Sequence, residues 1–322
     1  MLLYDSGFQN NGDKQGLMKI TFLKKIRLQF QHLLSYGFHG RFLLFLTGFG
    51  KRGKRNALDV QLREIEYRFV NLPSTFDGFR ILLLSDFHID HTHELCDVII
   101  NKIRNITDID VVCMTGDYRA RVLGDFSYCL NYMKKIVDIL HPRYGIFGVR
   151  GNHDSPKMTP ALEEIGITML NNASSVIEKD GEHLYIAGVE DPHIYKTADV
   201  QKAVEGIPRS ACTILLAHSP EVYQEASEHS INLYLCGHTH GGQIVFPKIG
   251  ALVKNMRAPG KCMRGFWKHE GMTGFTTTGV GTSAINARFN CPPEIVLFTL
   301  HRVAAENNDS AHRIKSELSE IN

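Results

Sequence analysis

What most constrains this chain is a repeated pattern, an apolar run that stops at a small group of Asp, Asn and His residues. It occurs at Ser85-Asp86-Phe87-His88, Gly116-Asp117, Gly151-Asn152-His153-Asp154, Ala217-His218 and Gly237-His238-Thr239-His240. Strands buried on both faces of a parallel sheet read as continuous apolar runs. Ligands bind in the crevice outside the carboxyl ends of such strands. A lone His or Asp at a strand end is usually structural. Five such groups in one chain instead point to an α/β fold that uses several strand ends for one purpose.

Along the chain, 62–70 alternates apolar and polar residues and predicts a strand with one covered face. Apolar runs at 80–84, 109–114 and 146–149 predict buried strands, separated by helix-like stretches at 91–106 and 126–140. The second half is richer in strands. Asp180-Gly181 between 175–179 and 183–189 predicts a hairpin. Further strands are expected at 213–217, 233–236, 243–246, 274–278 and 294–300. Two sheets facing one another, with helices outside, fit that order.

A net charge of +2 conceals an asymmetry. Residues 1–55 hold ten Lys or Arg and two acids, near +8, which leaves about −6 for the rest. The chain therefore reads as a basic amphipathic N-terminal arm (1–55), a domain (56–303) and a charged tail (304–322). Within the arm, 17–34 repeats apolar residues at helical spacing among Lys19, Lys24, Lys25 and Arg27. The apolar run 42–49 falls far short of the roughly 18–20 residues that a membrane span needs. Two readings stay open: an anchor on the inner face of a membrane, or a helix packed on the domain or a partner. Nucleic acid ranks below both, for want of a recognition motif. The seven cysteines are odd in number and contain no C-x-x-C pair. They argue against a disulfide framework and for a cytoplasmic compartment.

Asp86, His88, Asp117, Asn152, His218, His238 and His240 offer the mixed imidazole and carboxylate donors that suit two divalent cations roughly 3.5–4 Å apart. In extended backbone, residues i and i+2 share a side. Asp86/His88 and His238/His240 are each expected to aim two ligands one way on that basis.

Taken in order, these blocks resemble those of the calcineurin-like metallophosphoesterases, over about residues 72–302. Leu84-Ser85-Asp86, His240-Gly241-Gly242-Gln243-Ile244, Gly279-Val280-Gly281-Thr282, and Arg288-Phe289 followed by Pro292-Pro293-Glu294-Ile295 resemble the YkuE-like branch. The resemblance implies a four-layer α/β/β/α sandwich with two mixed β-sheets. It implies a dinuclear metal-dependent phosphohydrolase cleaving a phosphodiester or diphosphate bond. Asp86, His88 and His240 would hold one ion, Asn152, His218 and His238 the other, and Asp117 would bridge them. His153 would be no ligand but would stabilise the transition state or protonate the leaving oxygen. Mixed N/O donors suit Mn, Fe, Zn or Co, with Mn favoured.

One local departure from the family pattern is Tyr118-Arg119-Ala120-Arg121. Arg119 and Arg121 are candidates to hold a substrate phosphate, since guanidinium matches phosphate oxygens; ion pairs at the rim are the competing reading. Arg288 is a weaker candidate of the same kind. His91 and His93 are expected to face the following helix, Asp154 to fix its turn, and His193 to lie at the surface. The basic arm turns the substrate expectation toward a membrane lipid or lipid precursor, such as a UDP-diacylglucosamine-type molecule. Two alternatives are a non-catalytic scaffold of the same fold, which would typically lack ligands that this chain retains, and a nucleotide or nucleic-acid phosphodiesterase.

Overall fold

The computed structural model describes Gly40 and residues 46–69, 71–251 and 253–303. The chain divides into two compact units at Gly50/Lys51. Most of the expected basic arm, including 17–34, and the tail 304–322 lie outside the described residues. The rest of the fold concerns the second unit.

The first sheet contains, in spatial order, β1 (Gln61–Phe69), β14 (Glu294–Arg302), β2 (Phe79–Leu84), β3 (Val111–Met114), β4 (Ile146–Gly148) and β5 (Ile167–Met169). Its pairs are parallel except β14 with β2. The second sheet runs β12 (Gly265–His269), β13 (Met272–Thr276), β9 (Leu233–Cys236), β8 (Cys212–Leu216), β7 (Glu182–Gly188) and β6 (Ala173–Lys179). Its outer pairs are antiparallel and its inner ones parallel. The Asp180-Gly181 hairpin forms as expected between β6 and β7.

Side chains on a strand alternate between faces, and here both faces of each central strand are apolar. Ile81, Leu83, Val111 and Cys113 of the first sheet meet Ile186, Ile214, Leu216 and Leu235 of the second in one core between the sheets. Leu82, Leu84, Val112 and Met114 face the other way. They pack on Leu95, Ile99 and Ile103 of helix α2 (Leu95–Ile103) and on Met133 and Ile136 of α3 (Ser127–Val137). Ala187, Leu215 and Tyr234 cover the outer face of the second sheet with Val200, Ala203 and Ala226. Burying each such Leu, Ile or Val contributes about 1.5–3 kcal/mol. The result is the expected α/β/β/α sandwich of two mixed sheets.

Helix α1 (Gly50–Leu58) runs through the expected 55/56 boundary. A Cβ on Gly53 would lie 2.6 Å from Ala287 Cβ, and the Gly53 carbonyl accepts from Arg288 N–H at 3.1 Å. Close approach to the 287–289 segment is what requires glycine there. Residues from Lys51 onward thus belong to the sandwich unit.

Candidate metal centre

Each expected donor stands just past a strand end: Asp86 and His88 after β2, Asp117 after β3, Asn152 and His153 after β4, His218 after β8, His238 and His240 after β9. The parallel runs β2–β3–β4 and β8–β9 bring these ends to one edge of each sheet. Contacts across the two edges join them. His218 Nδ1 meets the Thr115 carbonyl at 2.8 Å, and His238 N–H donates to both Asp86 carboxylate oxygens at 3.0 and 3.1 Å.

The donors converge by turns, not by strand pleat. Asp86, His88, Asp117, His238 and His240 all have φ between 40° and 71°. Left-handed backbone at non-glycine residues costs of order 1–3 kcal/mol each and persists where the surroundings fix it. The extended i, i+2 geometry expected for Asp86/His88 and His238/His240 is therefore corrected. Two glycines make the turns possible. A Cβ on Gly151 would lie 2.2 Å from Asp117 Oδ1, and one on Gly237 would lie 2.3 Å from Asp86 Oδ2.

Three groups of possible ligand atoms result: Asp86/His88/His240, His88/Asp117/His153 and Asp117/His218/His238, with all atoms of a group within 4.8 Å. Asp117 is common to two of them. Its Oδ2 lies 3.3 Å from His218 Nε2, 3.5 Å from His88 Nε2 and 3.9 Å from His153 Nε2. Asp86 Oδ1 is 3.6 Å from His240 Nε2, and His88 Nε2 is 3.2 Å from that same nitrogen. Around His218 Nε2 stand Asn152 Oδ1 and His238 Nδ1, both at 3.0 Å.

Burial dominates the electrostatics. It pushes the Asp86 carboxyl up to about 6 and the His88 imidazole down to about 3. It also drives His238 and His240 well below the usual histidine range. Burial acts against charge on Asp117 too, but the neighbouring His218 and His153 overcome it and hold the carboxyl well below its ordinary value. His218 is the converse: burial disfavours its charge, yet the Asp117 carboxylate lifts it to about 10. With His218 Nδ1–H held by Thr115, at most one proton is available at Nε2 for three facing acceptors. A buried N/O donor set short of protons is a fit for a divalent cation.

The surrounding residues lock this geometry. The Asp154 carboxylate accepts backbone N–H groups of Asp117 (2.7 Å), Gly151 (2.8 Å) and Tyr118 (3.0 Å), which is the expected turn role made specific. His88 Nδ1 meets the Arg119 carbonyl at 3.1 Å, orienting Nε2 toward the cluster.

Arg119 does not meet the expectation of a phosphate-binding side chain. It is 2% exposed, and its guanidinium donates to the carbonyls of His153 (3.0 Å), Gly124 (3.2 Å) and Val122. Arg288 is likewise buried, and donates to the carbonyls of Thr278 and Gly281 at 2.6 Å each while lying 3.3 Å from His240 Nδ1. Both arginines position the site. Arg121 is exposed, on the segment whose Ala120 carbonyl meets His153 Nδ1.

His193 is also corrected. It is buried with its ring 4.2 Å from that of His238, and its Nδ1 lies 2.8 Å from Glu221 Oε1. The signal was present, because Asp191-Pro192-His193 is another acid-and-histidine group shortly after a strand, β7. Asn255, whose Nδ2 is 3.3 Å from His238 Nε2, sits in a loop with no such signal. His91 meets the Thr282 carbonyl at 3.0 Å, and His93 meets the Tyr128 hydroxyl on α3.

Residues 79–242 match the family model of the calcineurin-like phosphoesterases, a span that holds all seven expected ligands. This chain belongs to that family. The phosphoesterase is 30% identical over 304 residues to a metallophosphoesterase of Helicobacter pylori, covering 90% of this chain and 76% of that protein. It is 26% identical over 277 residues to metallophosphoesterase YkoQ of Bacillus subtilis, covering 81% and 97%. It is also similar to phosphodiesterase YaeI of Escherichia coli, at 29% identity over 249 residues, covering 73% and 87%. The phosphoesterase is a phosphoester hydrolase with a divalent-metal-binding cluster of His and Asp.

Proposed function

We propose that this phosphoesterase is a dinuclear phosphodiesterase or diphosphatase whose sandwich unit, which begins at Lys51, holds two ions at the joined strand ends. The carrying observation is the position of Asp117 Oδ2, within 3.5 Å of both His88 and His218 and so between the two donor groups. Asp86, His88 and His240 would hold one ion and Asn152, His218 and His238 the other, with Asp117 shared. Manganese is the favoured metal among Mn, Fe, Zn and Co. When bound, such ions activate water and neutralise charge on the phosphoryl oxygens.

The chain's own groups do the rest. His153 is tethered through Nδ1 to the Ala120 carbonyl and through its backbone N–H to Asp117 Oδ1 at 2.8 Å. That leaves Nε2 directed at the centre, where it gives a proton to the leaving oxygen. Arg288 and Asp154 keep His240 and Asp117 in place. Arg121 lies at the rim with a guanidinium suited to a second phosphate. Arg121→Ala is expected to raise KM for a diphosphate several-fold, with kcat nearly unchanged. An unaltered KM would remove it from the site.

A diester or diphosphate fits better than a phosphoserine. The name of the Escherichia coli relative favours a diester, and a lipid or lipid precursor remains the preferred substrate on account of the basic arm, 1–55. The seven cysteines are all free and buried, in keeping with a cytoplasmic enzyme peripheral to the inner membrane face. Among the described residues no helix is long and apolar enough to cross a membrane. Turnover of bis-p-nitrophenyl phosphate is expected to exceed that of p-nitrophenyl phosphate. A strong preference for the monoester would count against the diesterase reading.

A further inference from the structure

The loop that follows His240 has an unusual composition for a site rim. From His229 to His269 the chain contains no acidic residue, yet it carries Lys248, Lys254, Arg257, Lys261, Arg264 and Lys268. All six cations are exposed, and among the described residues none has a carboxylate within ion-pair distance. Within this stretch the short hairpin β10 (Val245–Phe246) and β11 (Gly250–Ala251) projects its turn outward. Phe246 is 42% exposed, Ile249 73% and Val253 39%. The described part of the sandwich unit has only two other large hydrophobic residues so exposed, Leu123 and Val176, and they are isolated in sequence. Three exposed apolar side chains within eight residues, interleaved with Lys248 and Lys254, form a local device.

The hairpin is tied to the metal centre at both ends. On one side it begins three residues after Gly242, where a Cβ would lie 2.2 Å from Ala251 Cβ, so β11 rests on the turn that carries His240. On the other side the chain returns to Asn255, beside His238. Its base is also joined to the segment under α1: Phe289 O accepts from Val245 N–H at 2.9 Å and Asn290 Nδ2 donates to the Val245 carbonyl at 2.7 Å. Through Arg288 and Gly53 that segment leads to α1, which adds exposed Lys51, Arg52 and Arg55 to the unit's positive charge.

We propose that the 245–251 hairpin, together with Val253 and Lys254 just after it, docks the enzyme on an anionic lipid surface, with Phe246, Ile249 and Val253 entering the interfacial layer and Lys248 and Lys254 meeting headgroup phosphates. Apolar tips beside unpaired cations are the combination that an anionic bilayer rewards, since apolar burial and headgroup attraction add. A nucleic acid would use the cations but leave Ile249 and Val253 without a purpose. Docking there would bring the centre to the lipid–water boundary. The substrate class that follows is a phosphoester whose apolar part stays in the lipid layer while its phosphate reaches the donors. That last step rests on the phosphodiesterase reading; the docking itself does not.

The test is flotation of the full chain with vesicles of phosphatidylglycerol and phosphatidylcholine, against vesicles of phosphatidylcholine alone. Two double variants, F246S/I249S and K248E/K254E, probe the apolar and charged parts independently. Wild type is expected to float with the anionic vesicles, and each double variant to lose about tenfold or more of its partition. Both variants should hydrolyse soluble bis-p-nitrophenyl phosphate as wild type does, since none of these side chains enters the centre. Variants that float like wild type would overturn the proposal and give any binding to another part of the chain. So would a wild type that stays unbound, or one that binds duplex DNA but not vesicles. Hairpin-dependent flotation by a wild type inactive on all diesters would leave docking standing and defeat the phosphodiesterase reading instead.

Discussion

Asp117→Ala is expected to abolish turnover and to release metal together. No other donor reaches as far across the centre, with Oδ2 3.3 Å from His218 Nε2 and 3.5 Å from His88 Nε2. The same carboxylate organises the second turn, since its Oδ1 accepts the His153 backbone N–H at 2.8 Å. Removing one partner from a buried charged cluster costs about 3–5 kcal/mol. Elemental analysis beside diester kinetics checks both halves of the expectation. A variant with a full metal complement and near-normal turnover would show that the two donor groups do not depend on a shared carboxylate.

His153→Ala is expected to separate what Asp117→Ala loses together. A positioned acid contributes about 10²–10⁴-fold, so turnover should fall by that factor while both metals stay. The test is sharp because His153 stands close to ligation: its Nε2 forms a possible ligand group with His88 and Asp117. Its Nδ1 is held by the Ala120 carbonyl, so Nε2 is the only ring atom able to choose between metal and substrate proton. Metal loss in step with activity would make His153 a ligand and leave the leaving-group proton without a donor.

The strand ends were legible because their chemistry contradicts their surroundings. An Asp or His that closes a fully apolar run is conspicuous, and the runs at 80–84, 109–114 and 233–236 became β2, β3 and β9 almost residue for residue. The alternation within them was not visible. Ile81 and Leu83 serve the inter-sheet core while Leu82 and Leu84 serve the helical face, and both pairs are equally apolar. The left-handed backbone at Asp86, His88, Asp117, His238 and His240 depends on contacts between distant segments, such as Gly151 against Asp117. No local pattern encodes it.

Arg119 shows a different limit. Next to a phosphate site, an arginine looks the same in sequence whether it reaches outward or folds back onto the carbonyls of His153, Val122 and Gly124. His193 was obscured by the turn in which it sits; the Asp191 carboxylate gathers the N–H groups of His193, Ile194 and Tyr195, which swings the imidazole inward against His238. The charge count had the opposite fault. Balancing a basic arm of +8 against about −6 for the remainder averaged away the acid-free stretch 229–269 beside the centre. Strand β12 was missed because Gly265-Phe266-Trp267-Lys268-His269 alternates too weakly, and it is fixed by pairing with β13.

The joined strand ends are proposed here as a metal-dependent diesterase centre. Its most direct test is hydrolysis of bis-p-nitrophenyl phosphate by chelator-stripped full-length protein, before and after adding Mn²⁺. Negligible turnover is expected in the stripped protein, restored by Mn²⁺ and saturating as two ions bind per chain. Turnover that survives complete stripping, or a chain that takes up no divalent ion at Asp86, Asp117 and their histidines, would contradict it.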